Sequence, residues 1–370
     1  MISIKKIHRR DVPEILSNEN FWENSFLTIT RHRLIAHYFN PVIEDNDIVL
    51  LLAYLDDELV GYMGLFIDVI NLNNKKQKIG WLSTWWVHPK TKGKGVGREI
   101  LNQMYHENNG KIGISQFTPS AKRVYDKSNY FVTLKENSGI KAVLRSNLQF
   151  VLPAISQNFS FLKKQLYSLD NVINVLVNIK LSIQSKYLNR KLNHLKIDYV
   201  NTIDDELLEV ISKYNRKDLS KKDKPFFEWM KKYPWVQSAP LLEFTEKGNY
   251  QFSSYDNQFD FYYIKITLEN KCIGFLVLQK RNFVCKVLFT YYDKDKHADL
   301  ISDVIKMQAL NQNTREIIVY DEAICKNFNK SKLFLYKTKK IKQSIISKKF
   351  NVQNFKEIRM NFGDGDCSFA

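Results

Sequence analysis

Residues His88–Leu101 read HPKTKGKGVGREIL. Before it stands a strand-like run, KIGWLSTWWVHP, from Lys78 to Pro89, closed by a proline that cannot donate to a ladder. After it, GREILNQMYHEN from Gly97 to Asn108 has apolar residues at helical spacing. A strand that ends in a glycine-rich basic turn and re-enters as a helix is suited to an anion. Gly93, Gly95 and Gly97 let successive N–H groups converge. The helix N-terminus adds partial positive charge, and Lys92, Lys94 and Arg98 extend that field. A phosphate or pyrophosphate is the expected guest. Two familiar phosphate motifs do not fit. The dinucleotide fingerprint G-x-G-x-x-G fails because Arg98 stands where its last glycine belongs, and no G-x-x-x-x-G-K-[ST] string occurs.

Working outward, the residues before the loop alternate strand and helix signals. ISIKKI (2–7) is a short strand, and DVPEILSN (11–18) has the Asp-then-Pro signature of a helix start. FWENSFLTITRHRLIAHYF (21–39) has helical spacing and is ended by Pro41. DIVLLLAYLDDELVGYMGLFIDVI (47–70) is two strands around the acidic turn LDDEL, hence a hairpin. After the loop helix come the strand KIGISQF (111–117), the helix PSAKRVYDKS (119–128) and two further strands. The expected order is β-α-α-β-β-β-loop-α-β-α-β-β. Strict alternation along GWLSTWW puts Trp81, Ser83 and Trp85 on one face of their strand, with Leu82, Thr84 and Trp86 on the other.

On these residues the chain resembles the GCN5-related N-acetyltransferase (GNAT) superfamily, whose cofactor signature is [QR]-x-x-G-x-[GA]. Here the six residues are Lys92, Gly93, Lys94, Gly95, Val96 and Gly97, with Lys in first place. That lysine keeps the charge and loses the planar fork of arginine. The run WVHP is similar to the splayed fourth strand of that family. The resemblance implies that the backbone of Trp85, Trp86 and Val87 holds a pantetheine arm, while residues 92–97 and Arg98 hold the pyrophosphate of acetyl-CoA. TPSAKRVYDKSNYF resembles the family segment ending Tyr-Glu-Lys-x-Gly-Phe, with its Tyr at Tyr125, Asn129 in place of Gly and Tyr130 in place of Phe. The resemblance makes Tyr125 the donor to the departing CoA thiolate. The acceptor is then a primary amine, with Trp81 and Ser83 on the acceptor side. Glu23, His32, His37 and Asp68 lie on elements that could face it, and the sequence does not choose a general base among them.

Residues 151–194 have helical periodicity and, over FLKKQLYSLDNVINVLVNIKLSIQSKYLNRKL (161–192), neither glycine nor proline, so a helical connector is expected. Beyond it the first pattern returns. VCKVLFTYYDKDKHADLISDVIKMQALNQNTREIIVY (284–320) echoes the strand, loop, helix and strand of residues 78–117, but YYDKDKHADL lacks the glycines. Asn327 or Phe328 stands where a counterpart of Tyr125 would fall. The expected fold class is α/β (α+β), with two GNAT-like domains, each a mixed, mostly antiparallel central sheet flanked by helices. A catalytic domain at 1–150 is followed by the connector at 151–194, and a degenerate copy with a C-terminal tail occupies 195–370.

Global quantities bound the function. A chain of 370 residues with 44% hydrophobic content exceeds what one core usually organises, and is no disordered polymer. The net charge is +17. Residues 1–145 hold 20 Lys+Arg against 15 Asp+Glu, leaving 36 against 24 for the rest. No basic tail concentrates that charge, so nucleic acid is not the expected partner. Cys272, Cys285, Cys325 and Cys367 form no C-x-x-C pair, and the aspartates of NFGDGDCSFA are too few for a metal loop, so no metal is expected. Neither a secretory leader nor a membrane span is apparent, which points to the cytoplasm.

By resemblance, two-part proteins of this kind serve bacterial surface-polysaccharide pathways, where the acceptor would be an amino group on a nucleotide-linked sugar. Three rivals stay open: a FemABX-like enzyme using aminoacyl-tRNA, a CoA-binding scaffold without catalysis, and an RNA-modifying acetyltransferase, which the charge permits.

Overall fold

A computed structural model describes residues 1–24, 26–72, 75–148, 152, 161–238, 250–350 and 357–369. In chain order the elements begin with β1 (Ile2–His8), α1 (Val12–Ser17), α2 (Glu19–Trp22), α3 (Arg31–Tyr38), β2 (Ile48–Leu55), β3 (Glu58–Leu72) and β4 (Lys75–Val87). There follow α4 (Val96–Glu107), β5 (Ile112–Ile114), α5 (Pro119–Ser128), β6 (Phe131–Val143), α6 (Lys163–Lys191), β7 (Leu195–Val200), α7 (Asp205–Tyr214) and α8 (Lys224–Lys232). Two short strands, β8 (Gln237–Ser238) and β9 (Tyr255–Asp256), precede β10 (Phe259–Leu268), β11 (Lys271–Arg281) and β12 (Val284–Tyr292). The last are α9 (Lys294–Asn311), β13 (Glu316–Val319), α10 (Glu322–Lys330) and β14 (Tyr336–Ser347).

The chain divides into two compact units that alternate along the sequence. Unit 1 is Met1–Asn137, Asn215–Phe259 and Lys342–Ala370, and unit 2 is Ser138–Tyr214 and Asp260–Ile341. Each has the expected mixed, mostly antiparallel sheet flanked by helices.

In unit 1, β1 to β4 run antiparallel in sequence order. The β2–β3 hairpin turns at Asp56 and Asp57, both with positive φ (50° and 65°), as a two-residue hairpin turn of this type requires. β2 is covered on both faces, which explains its unbroken apolar run. Leu51 and Ala53 pack with Ile100, Leu101 and Met104 of α4. Val49, Leu50 and Leu52 pack with Trp22, Phe26 and Leu34. β5 joins β4 in parallel only at Gly80–Ile112 and Trp81–Gly113. The end of β14 pairs antiparallel with β5 at Ile345–Ile114 and Ile346–Gly113.

Two local readings change. Residues 21–39 do not form one helix: Asn24 Nδ2 closes the first turn on the Phe21 carbonyl, and Thr30 starts α3 afresh by accepting from Arg33 N–H. The alternation along β4 is also broken. Tyr62 pairs with Trp86 and Gly64 with Ser83, so Thr84 and Trp85 together oppose Met63. This β-bulge holds Thr84 at φ 46°. One inserted residue reverses every later side chain. Trp85 therefore joins Leu82 on the α4 side, and Trp86 moves to the other face, against Phe26 and Tyr62.

Unit 1 also takes in distant segments. Asn71 N–H donates to the Leu219 carbonyl at 2.7 Å, and Leu219 N–H to the Arg359 carbonyl at 2.8 Å. Phe369 stacks on Trp235 (4.2 Å, 17°) and meets Phe66 and Trp229 edge-on.

In unit 2, β7 and β10, and β11 and β12, are antiparallel, while β12 and β13 are parallel. Residues 140–143 of β6 pair antiparallel with β13. The succession β12-α9-β13-α10-β14 has the same order as β4-α4-β5-α5-β6.

Candidate active site

The glycine turn leads β4 into α4 without a side-chain cap. Gly95 occupies the N-cap position at φ 80°, and Gly93 has φ 84°, where a side chain would be strained. Gly97 answers a different demand, since a Cβ there would lie 3.2 Å from the Trp85 ring. The first N–H groups of α4 have no intrahelical acceptor, and no side chain of the cap takes them. Beside them opens a cleft of ≈ 830 Å³, walled by residues 87–89, 91–93 and 95–98 on one side and by Val124, Lys127 and Ser128 of α5 on the other. That volume suits a ligand of cofactor size. Of the sequence-predicted cofactor residues, Val87, Lys92, Gly93, Gly95, Val96, Gly97 and Arg98 line it. Lys94 is exposed outside it, Trp85 packs beneath it, and the Trp86 ring lies on the opposite face of the sheet.

β5 leaves β4 after Trp81, so the edge of β4 from Leu82 to Val87 has no strand partner on that side among the described residues. Tyr125 of α5 is 4% exposed near this parting and packs on Trp85 (5.5 Å), Phe117 and Phe131. Burial first, and the charge of Asp366 second, push its hydroxyl pKa above the ordinary 10.0. The phenol therefore stays protonated and can donate. Asn129, in place of the glycine of the resembled segment, ends α5 at φ 57°, the left-handed conformation that asparagine tolerates next best. Trp85 Nε1 is buried without a partner among the described residues.

The tail supplies what the sequence reading missed. Asp366 sits between the parted strands, accepting from Ser83 Oγ of β4 at 3.0 Å and from Ser115 Oγ just beyond β5. Ser83 Oγ in turn accepts from Arg33 Nη2 at 2.6 Å. Arg33 is 5% exposed, lies over the Trp235 ring at 4.0 Å, and has no carboxylate partner among the described residues. Gly365 lets the tail approach this closely: it has φ 69°, and a Cβ there would stand 2.5 Å from Ser115 Cβ.

The four base candidates fare differently. Glu23 is exposed. Asp68 is occupied by Lys222 at 2.8 Å and Trp81 Nε1 at 3.2 Å. His32 is held neutral, its pKa lowered by burial to about 4, and bonds the Trp235 carbonyl at 2.7 Å. His37 is fully buried and pushed well below 6.5 by burial and then by Arg33. Asp366 alone combines partial exposure with a place at the parting of the strands.

The family model described as an acetyltransferase (GNAT) domain matches residues 3–133. The match to a GNAT acetyltransferase domain covers the first third of the chain. The match supports an acyltransferase. Among solved structures, a GCN5-related N-acetyltransferase from Anabaena variabilis is 7% identical with TM-score 0.50, over 94% of this chain and 72% of that one. This likeness concerns the fold. A Saccharomyces cerevisiae N-myristoyltransferase with bound myristoyl-CoA is 10% identical with TM-score 0.48, over 93% of this chain and 82% of that one. A putative acetyltransferase from Pyrococcus horikoshii is 13% identical with TM-score 0.45, over 100% and 96%. No curated protein matches the sequence.

The turn from β12 into α9 in unit 2 differs from the glycine turn before α4. Asp293 caps α9, its carboxylate accepting from Asp295 and Lys296 N–H at 3.2 Å each. The helix N-terminus that is open in unit 1 is here filled by the chain's own anion.

Proposed function

We propose that the protein transfers an acyl group, acetyl first among them, from acyl-CoA to a primary amine within unit 1. The observation that carries this reading is the uncapped N-terminus of α4 beside its cleft, with the Asp366 carboxylate at the parting of β4 and β5. The thioester supplies the activated acyl group. Residues 92–98 hold the pyrophosphate through backbone N–H groups, with Lys92 and Arg98 adding charge. The free edge of Trp85 to Val87 pairs with the pantetheine amides. Asp366 holds the incoming ammonium and takes its proton, and Tyr125 donates to the leaving sulfur.

Trp81 and Ser83 are buried, so the acceptor is received at the partly exposed Asp366 beside them. Amino sugars linked to nucleotides, as used in surface-polysaccharide assembly, head the panel. We read the second half as a GNAT-like copy that no longer binds CoA, because Asp293 occupies its helix N-terminus. The four free thiols fit a cytoplasmic setting. An open phosphate site favours CoA over aminoacyl-tRNA as donor, and a positioned carboxylate and phenol favour catalysis over scaffolding.

Calorimetric titration of acetyl-CoA into the wild type and Gly95→Glu tests the reading, followed by thiol-release assays across amine acceptors. Micromolar binding abolished by the substitution is expected. Equal heats from both proteins would remove the loop from the site, and tight binding with no transfer to any amine would favour the scaffold.

A further inference from the structure

The helix α6 (Lys163–Lys191) has two unlike apolar faces. Val177, Leu181 and Leu188 are buried in the core of unit 2. On the opposite side Leu169, Val172, Leu176, Ile179 and Ile183 are between 47% and 70% exposed. Their spacing of three and four residues makes one continuous stripe, about 20 Å long at 1.5 Å per residue. Val175 and Tyr187, 62% and 60% exposed, widen it. Scattered exposed apolar residues need no explanation, but an unbroken stripe of this size does.

The charges around the stripe are of one sign. Lys164, Lys180, Lys186 and Arg190 are exposed on this helix. Its one acidic residue, Asp170, is turned inward, where it accepts from Ser146 Oγ at 2.5 Å and Leu148 N–H at 2.8 Å. The acids nearest from α9, Asp299 and Asp303, lie at the C-terminal end beside Lys191, which Asp303 pairs at 2.7 Å. Among the described residues no carboxylate pairs the other four cations, of which Lys180 donates to the Lys332 carbonyl at 2.9 Å.

We propose that this face of α6 docks on an anionic lipid surface. An apolar stripe edged by lysines lies in the plane of a bilayer interface, with the stripe in the acyl boundary and the long cationic side chains reaching up to the headgroups. The net charge of +17 adds long-range attraction to such a surface. The other occupant to consider is α6 of a second copy, because the spacing also fits a heptad seam. Two copies face to face would set lysine against lysine, with no exposed acid on the helix to pair across the seam. Charge therefore selects the membrane. The helix rests on the surface: no described helix is long and apolar enough to cross a membrane. The inference stands on α6 and is independent of the transfer reaction.

Sedimentation of the full chain with vesicles tests it, using phosphatidylcholine alone and an equal mixture with phosphatidylglycerol. Two variants accompany the wild type: Leu176→Gln/Ile179→Gln/Ile183→Gln, which leaves the charge unchanged, and Lys180→Glu/Lys186→Glu. All five positions are exposed, so folding should survive, and an unchanged circular dichroism spectrum and unfolding temperature check that it does. The wild type should bind the mixed vesicles and ignore the neutral ones, and each variant should lose affinity about tenfold or more. Equal binding by the triple variant would overturn the proposal, because the attraction would then be net charge alone. Absence of binding would also overturn it, as would a dimer of the wild type that the triple variant dissolves, which would make the stripe a self-association seam.

Discussion

Ser83 Oγ donates to Asp366 Oδ2 at 3.0 Å, tying the middle of β4 to a residue 283 positions later in the chain. Because Ser115 holds the other carboxylate oxygen, Asp366 is fixed at both oxygens while the residue stays partly exposed. Asp366→Asn keeps an acceptor for one serine and removes the charge that would hold an ammonium. Turnover should fall by roughly 10²–10⁴, the range for loss of an acid–base group, with acyl-CoA affinity unchanged. Steady-state thiol release paired with calorimetry separates the two. A variant with wild-type turnover would reduce Asp366 to a clip for the tail.

Tyr125→Phe removes a hydroxyl from a site that is otherwise all packing. The ring contacts with Trp85, Phe117 and Phe131 remain, so stability should change little. Turnover should fall about 10²-fold or more if the phenol protonates the leaving thiolate. Because burial raises its pKa above 10.0, the fold-loss should be constant from neutral to mildly alkaline pH. A loss that vanishes as pH rises would mean that a different group is titrating.

The contrast between Gly95 and Asp293 predicts the stoichiometry. Gly95 leaves the N–H groups of α4 free, whereas Asp293 satisfies those of α9. Titration should therefore give one acyl-CoA per chain, and Lys92→Glu should weaken that site at least several-fold without exposing another. Asp293→Ala should cost about 1 kcal/mol of stability, as lost caps do, and bind no CoA. Two sites in the wild type would show that the second half is not empty.

Much of unit 1 was legible because its signals are local. The LDDEL turn, the apolar hairpin and the glycine loop each depend on neighbours in sequence, and each appears where its residues place it. The side of Trp85 was not legible, since a bulge at Thr84 depends on pairing with Met63 and leaves no mark in residues 81–86. Asp366 was missed for a stronger reason. Its role depends on contacts with Ser83 and Ser115, hundreds of residues earlier, and two aspartates between glycines suggest a loop before a docked carboxylate. Only the left-handed Gly365 pressed on Ser115 explains that spelling, and this contact exists in the fold alone.

Asp364, two residues before Asp366, gives the tail a pH dependence of stability. It is fully buried, with Oδ2 accepting from Asn361 N–H at 2.7 Å and Oδ1 unpartnered among the described residues. Burial raises its pKa from 3.8 to about 7, with Asp218 and Asp68 adding to the rise and Lys222 opposing it. A carboxyl raised on folding contributes stability below its ordinary pKa, and that contribution is lost as pH climbs through the folded value. His32 runs the other way: lowered from 6.5 to about 4, it contributes above 6.5 and loses that contribution as pH falls. The wild-type curve mixes the two, so the variant is the clean probe. Asp364→Asn mimics the protonated form and retains His32. Its unfolding temperature should match the wild type near pH 4 and exceed it increasingly towards about pH 8, where a buried charge is no longer imposed on the tail. A difference that stays flat across this range would mean that Asp364 is not charged in the folded protein, or that water reaches it.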